Sequence, residues 1–162
     1  MKRLDRRISK KMKKVNLYVS KARGYYLNQE WEPALREYAQ LARYNRSDDN
    51  LYLELGIIYG NLLQYEDALT ALYSGLLINP NNVEIHRLLS DYCLSASVRN
   101  SIMGFIHLTR YLEKAPDSKT RAGLKEKYDN LLAKFSARKM FPRLGSLTSS
   151  QNRDIHALYK GR

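Results

Sequence analysis

Apolar and aromatic residues recur along this chain at intervals of three and four. Tyr18, Ala22 and Tyr25 form one such set, and Trp31, Ala34, Tyr38, Leu41 and Tyr44 form the next. A third set holds Tyr52, Leu55, Gly56 and Tyr59, and a fourth holds Tyr65, Ala68, Leu72, Gly75 and Ile78. That spacing places side chains on one face of an α-helix. The sets predict helices over about 15–28, 32–44, 49–62 and 66–78. Pro33 stands near the start of the second, where its missing N–H does no harm. Pro80, followed by Asn81 and Asn82, closes the fourth with a turn.

The sets are copies of one another. Trp31, Ala34, Tyr38, Leu41 and Tyr44 precede Tyr65, Ala68, Leu72, Gly75 and Ile78 by 34 residues each, and Tyr18, Ala22 and Tyr25 precede Tyr52, Gly56 and Tyr59 by the same 34. A third unit keeps this register in its first helix, where His86, Leu89, Ser90 and Cys93 match Tyr52, Leu55, Gly56 and Tyr59. Its second helix slips: Gly104, Leu108, Tyr111 and Pro116 match Ala68, Leu72, Gly75 and Pro80 at an offset of 36. The turn at 96–100 absorbs the two extra residues, as loops can and helices cannot. Ala22, Gly56 and Ser90 put a small residue at one position of every first helix, which marks a close helix–helix approach. Trp31, Tyr38, Tyr59, Ala68 and Leu72 read as core. A repeat cannot bury its own apolar face, so terminal units need covers. From Ser118 to about residue 140, Leu124, Tyr128, Leu131, Leu132 and Phe135 form one apolar stripe with Lys125, Lys127, Asp129 and Lys134 away from it; Asp117 or Ser118 is placed to cap its start.

The pattern resembles the tetratricopeptide repeat family. Unit two carries the signature nearly whole: Tyr52, Leu55, Gly56 and Tyr59, then Ala68 and Leu72, then Pro80, with tyrosine in place of the usual tryptophan. The resemblance covers about residues 15–116. It implies an all-α fold, a right-handed superhelix of three helix pairs with a C-terminal capping helix, and a concave groove that binds peptides or protein segments. In the family the first helix of each pair lines that groove. Carried over, this gives Val19, Arg23, Tyr26 and Leu27 from unit one, Leu53, Ile57, Gly60 and Asn61 from unit two, and Arg87, Asp91, Leu94 and Ser95 from unit three. Val19, Leu53 and Ile57 are apolar yet outside the stacking set, so an apolar groove with polar margins is expected. Gly60 reads either as close packing or as room for a ligand backbone. One subgroup of the family grips chaperone C-terminal carboxylates through a basic and amide clamp; Val19, Arg23 and Ile57 in the clamp positions, with Glu54 at the margin, argue against that role here. In size and repeat number the chain is also similar to the bacterial chaperones that escort type III translocator proteins, from which its basic ends depart.

Charge divides the chain. The net +12 is the sum of +9 over residues 1–23, −4 over 24–116 and +7 over 117–162. The N-terminal stretch is patterned as well as basic: Leu4, Ile8, Met12, Val15 and Val19 fall at helical intervals among Arg6, Arg7, Lys10, Lys11, Lys13 and Lys14. The chain therefore reads as a basic amphipathic helical extension over 1–14, a repeat domain with its capping helix over 15–140, and a basic tail over 141–162, with Arg138, Lys139 and Arg143 as further basic contacts. The ends suit an acidic protein or an anionic membrane surface, and less well nucleic acid, because the body is acidic and no nucleic-acid-reading motif occurs. No apolar run has the length of a membrane span or a secretory segment, so the default expectation is the cytoplasm, peripheral to a membrane-associated complex.

Enzyme chemistry finds no support in the sequence. His86, His107 and His156 lie far apart without metal-ligand spacing, and the single cysteine, Cys93, falls on the core side of its helix. No phosphate loop or nucleophile motif occurs, and no cofactor or metal is expected. The sequence-level reading is a non-enzymatic scaffold or adaptor that binds a protein segment in its groove and docks into a larger assembly through its basic ends. A nucleic-acid-associated or membrane-surface adaptor and a secretion chaperone of the three-repeat class are the alternatives.

Overall fold

The computed structural model describes residues 2–95, 100–115 and 119–137. Among the described residues there are seven α-helices and no strand: α1 Lys2–Leu27, α2 Trp31–Tyr44, α3 Asp49–Asn61, α4 Tyr65–Ile78, α5 Val83–Leu94, α6 Ser101–Lys114 and α7 Lys119–Ala137. The basic N-terminal stretch and the first repeat helix are one unbroken helix. The repeat-derived boundaries agree with α2, α3 and α4 to within a residue or so.

Local chemistry sets the starts. Asp48 accepts hydrogen bonds from the backbone N–H of Asn50 and Leu51 at the start of α3, Asn82 from Ile85 at the start of α5, and Asn100 from Met103 at the start of α6. Each satisfies an N–H that the first helical turn leaves without a partner. The turns within pairs one and two take the same shape. Gln29 and Leu63 both adopt φ of 60°, 34 residues apart.

Residues up to Leu124 form one compact unit. Helices pack in consecutive pairs, α1 with α2, α3 with α4 and α5 with α6, and each pair packs on the next. One apolar cluster joins Ala22, Ala34, Tyr38, Leu41, Leu51, Leu55, Ile58 and Ala71; a second joins Leu72, Leu76, Ile85, Leu88 and Leu89. Ala22, Gly56 and Ser90 are all buried, as the small-residue register requires. A Cβ on Gly56 would stand 2.5 Å from Leu72 Cγ and Cδ2, so α3 and α4 meet there with no room to spare. The first turns of α7 belong to this unit, and Arg121 donates to the Leu112 carbonyl at 3.1 Å. From Lys125 the chain forms a second unit, in which Tyr128, Leu131 and Leu132 are half-buried on α7. Asp117 and Ser118, the expected cap, and the side chain of Phe135 lie outside the described residues.

Candidate partner-binding groove

α1, α3 and α5 are the first helices of their pairs, and α3 packs directly on α5. From α1, Val19 and Leu27 are 44% and 71% exposed, and Arg23 is exposed. Tyr26 is half-buried and meets Trp31 and Tyr38 edge-on, with ring centroids 5.8 and 6.0 Å apart. From α3, Leu53 and Ile57 are half-buried and pack against the Leu72–Leu89 cluster, so they serve the core as well as the surface. Asn61 is exposed and returns its amide to the Ile57 carbonyl at 2.8 Å.

Gly60 is resolved in favour of close packing. A Cβ there would collide with the hydroxyl end of Tyr92, which crosses from α5 and donates to the Gly56 carbonyl at 3.4 Å. Tyr92 also meets Tyr65 edge-on at 5.7 Å. It is the residue of this face that repeat spacing does not flag, and the glycine opposite it was the available signal. On α5, Arg87 is held between Glu84 at 2.8 Å and Asp91 at 3.3 Å. Leu94 is turned toward α6, where its side chain fills the space over Gly104, and Ser95 donates to the Tyr92 carbonyl at 2.7 Å.

The polar content of the face centres on Glu54. Its carboxylate is half-buried and accepts from the Tyr38 hydroxyl, with the Arg23 charge nearby. Burial pushes the Glu54 carboxyl above its ordinary range, with the Asp48 charge adding to the shift and the Tyr38 bond and Arg23 opposing it. Burial and the Glu54 charge push Tyr38 up in turn. Glu54 thus adds a half-buried carboxylate beside the exposed Val19 and Leu27 and the half-buried Leu53 and Ile57 of these helices.

The basic positions separate into two groups. Arg6, Lys10, Lys13 and Lys14 are exposed on α1, and Lys14 stands 5.8 Å over the Tyr18 ring, with a hydrogen bond to Tyr44 raising its pKa. Arg7 and Lys11 lie on the same helix, their side chains outside the described residues, and Arg138, Lys139 and Arg143 lie wholly outside them.

The histidines separated in sequence do not stay apart. His86 and His107 are buried, and their Nδ1 atoms are 3.0 Å apart. His86 Nε2 lies 3.0 Å from the Pro80 carbonyl, and His107 Nε2 lies 3.1 Å from the Tyr73 hydroxyl. A carbonyl only accepts, so His86 carries its proton on Nε2 and accepts at Nδ1. His107 then donates from Nδ1 and accepts at Nε2 from Tyr73, an assignment made from the network as a whole. Cys93 beside Tyr73 is pushed up to about 11 by burial, with the Tyr73 hydroxyl opposing the shift. Among the described residues, no three His, Cys, Asp or Glu side chains gather as a metal site would require. No helix of the described residues is long and apolar enough to cross a membrane.

Sequence comparison finds no matching family model and no matching curated protein. Solved structures do match. The tetratricopeptide domain of Arabidopsis OM64 superposes with a TM-score of 0.65 at 15% identity, covering 74% of this chain and 97% of that one. The first such domain of Spaghetti (RPAP3), bound to the HSP90 peptide SRMEEVD, gives 0.65 at 14% identity over 75% and 97%. The Yersinia enterocolitica type III secretion chaperone SycD, in complex with a peptide of the translocator YopD, gives 0.64 at 16% over 78% and 95%.

Proposed function

We propose that this chain, which has the tetratricopeptide-repeat fold, is a non-enzymatic adaptor that holds a segment of another protein against α1, α3 and α5. The observation that carries the reading is the set of side chains the helix pairs leave over: Val19, Arg23 and Leu27 exposed, with Tyr26 and Tyr92 half-buried beside them. Half-buried tyrosines backed by packed neighbours are the surface that segment binding favours, because little side-chain freedom remains to be lost. Two of the similar structures hold peptides: one from HSP90, the other from YopD.

The electrostatics favour a segment other than an acidic one. Glu54 is half-buried on this face, Arg87 is already taken up by Glu84 and Asp91, and residues 24–116 sum to −4. A carboxylate brought to Glu54 would meet like charge in a partly desolvated place, where repulsion is screened least. A segment with apolar anchors and a cation or amide opposite Glu54 fits. The secretion-chaperone reading is the second choice, supported by the SycD superposition.

Photo-crosslinking tests the proposal. A reactive side chain replacing Arg23 or Leu27 is expected to capture a protein segment in the native source, and one replacing Glu66 or Thr70 on exposed positions of α4 is not. Equal capture at both sets, or capture of nucleic acid in place of protein, would overturn it.

A further inference from the structure

The chain has three histidines, and two of them form the buried pair between α5 and α6. At ordinary values no other side chain changes its charge between about pH 5 and 8. The repeat framework does not require imidazoles at this place. In the second pair the same register holds Tyr52 and Ala71.

The imidazoles tie three elements together. His86 of α5 bonds to the Pro80 carbonyl of the preceding turn, His107 of α6 bonds to Tyr73 of α4, and the two rings bond to each other. The number of protons this series can hold is limited. The neutral pair carries two, on His86 Nε2 and His107 Nδ1. A third fits only if the Tyr73 hydroxyl turns its hydrogen away from His107 Nε2, toward Cys93. A fourth has no place: it would set two N–H groups head to head across 3.0 Å and two like charges in one buried site. Opened to water, each imidazole takes up its proton near about pH 6.5. In acid the open form therefore binds at least one proton more than the closed form.

Tyr73 of α4 faces the pair directly and Cys93 of α5 lies behind it. Both are neutral in acid, with burial pushing the Cys93 thiol up to about 11. On the elements around the pair, Asp49 of α3 is bonded to Asn79 and Asn82, and Arg87 of α5 to Glu84 and Asp91. Arg110 of α6 is bonded to Glu113, Lys114 to Asn81, and Arg121 of α7 to the Leu112 carbonyl. Each of these charges already has a partner.

We propose that the imidazole pair is an acid-sensitive latch: near neutral pH it holds α6 to α4 and α5, and as pH falls below about 6.5 it lets α6 go. The sign follows from the proton count, since stability falls with pH wherever the open form binds more protons. α5 packs more extensively on α6 than on α3 or α4. The release therefore also loosens α5, which carries Arg87 and Tyr92 to the groove face. The third pair is the last helix pair of the compact unit, and end repeats can open without the rest.

Hydrogen exchange of the full chain tests this at about pH 7.5 and about pH 5, with each rate divided by that of an unstructured peptide at the same pH. One withheld proton predicts a loss of protection of about thirtyfold in α5 and α6 between these conditions. At the lower pH α1–α4 should remain better protected than α5 and α6. The variant His86→Tyr/His107→Ala, which carries the second pair's residues in the third, should lose this pH dependence. NMR titration of the parent keeps the test independent of whether that variant folds: the folded pair should not take up both protons at about pH 5. Protection of α5 and α6 that is alike at both pH values, equal loss in all helices, or a double variant as acid-sensitive as the parent would each overturn the proposal. So would ordinary titration of both imidazoles near about 6.5 in the folded chain.

Discussion

The second and third helix pairs can be laid over one another residue by residue, and at two facing positions they differ in kind. In pair two, Tyr52 of α3 and Ala71 of α4 sit in or against the first apolar cluster. Their register partners in pair three, at offsets of 34 and 36, are His86 and His107. One site packs a large ring and a methyl group among apolar neighbours. The other packs two imidazoles whose nitrogens are matched in series from the Pro80 carbonyl to the Tyr73 hydroxyl. The fold tolerates both because each satisfies its own requirement, volume in one case and hydrogen bonding in the other. They should fail differently. Pair two should be sensitive to added volume, and pair three to removal of a polar partner.

The largest effect is expected in pair three. His107→Leu is close in volume, yet it removes the Nδ1 donor that His86 faces and the Nε2 acceptor that the Tyr73 hydroxyl faces. Losing hydrogen bonds among buried polar groups costs about 1–3 kcal/mol, and a loss in that range is expected in urea unfolding. The double variant His86→Leu/His107→Leu should lose less than the sum of the two single changes, since both single changes break the same imidazole–imidazole bond. Additive losses would mean that the two imidazoles are not coupled.

Pair two should answer to volume. Gly56→Ala adds a methyl group 2.5 Å from Leu72 Cγ, and Leu72 is fully buried with nowhere to retreat. Overpacking of this kind costs about 1–3 kcal/mol. Removing a glycine from a helix interior returns about 1 kcal/mol. A net loss is expected, and a variant as stable as the parent would show that α3 and α4 separate easily.

Helix positions and pairing were legible because both are written at short range, by three- and four-residue spacing and by a 34-residue repeat. The small residues Ala22, Gly56 and Ser90 are all buried, and at Gly56 the close approach of α4 is direct. The imidazole pair was not legible. His86 and His107 are 21 residues apart, and the two-residue slip before α6 breaks the register that would have aligned His107 with Ala71. The groove was legible in outline only. Its helices were identified, but Leu94 turned inward and Leu53 and Ile57 are shared with the core, because side-chain direction depends on what the neighbouring helix offers. Tyr92 shows the same limit: its place over Gly60 depends on the distance between α3 and α5, which no single helix encodes.

A smaller effect concerns the turn that pairs one and two share. Leu63 adopts φ of 60° and is 71% exposed, so its side chain packs on little while its backbone sits in the left-handed region. Glycine relieves that conformation, worth about 1–2 kcal/mol, and gains freedom in the unfolded chain, which costs the smaller amount of about 0.5–1 kcal/mol. Leu63→Gly is expected to stabilise by about 0.5 kcal/mol, read as a higher melting temperature. A lower melting temperature would mean that the exposed leucine holds the turn by contact.

The smallest effect tests the link between the two pairs. Asp49 opens α3, and its carboxylate accepts from Asn82 at 2.7 Å and Asn79 at 2.9 Å, both in the turn that leads into α5. The register partners of Asp49 are Val15 and Val83, so this polar tie is not repeated at those positions. The Asn82 amide, with Asn79 and the first backbone N–H groups of α3 adding to it, holds the Asp49 carboxyl below its ordinary value of 3.8. A carboxylate lowered in the folded state adds stability above the unfolded value and loses it as pH falls through the folded one. The contribution is therefore complete at neutral pH and is lost as pH falls below 3.8, and it stays small because Asp49 is half-buried at the surface, where solvent still screens it. Asn82→Ser isolates it: a serine oxygen can still accept from the Ile85 N–H and cap α5, while the amide donor to Asp49 is gone. In that variant the Asp49 carboxyl, followed by NMR, should titrate closer to 3.8, and the stability difference from the parent should be largest near neutrality and shrink on acidification. If Asp49 titrates alike in both proteins, the tie between α3 and the α5 turn is not made in solution, and the second and third pairs are joined by their apolar contacts and by the Tyr92–Gly56 and Tyr73–His107 hydrogen bonds.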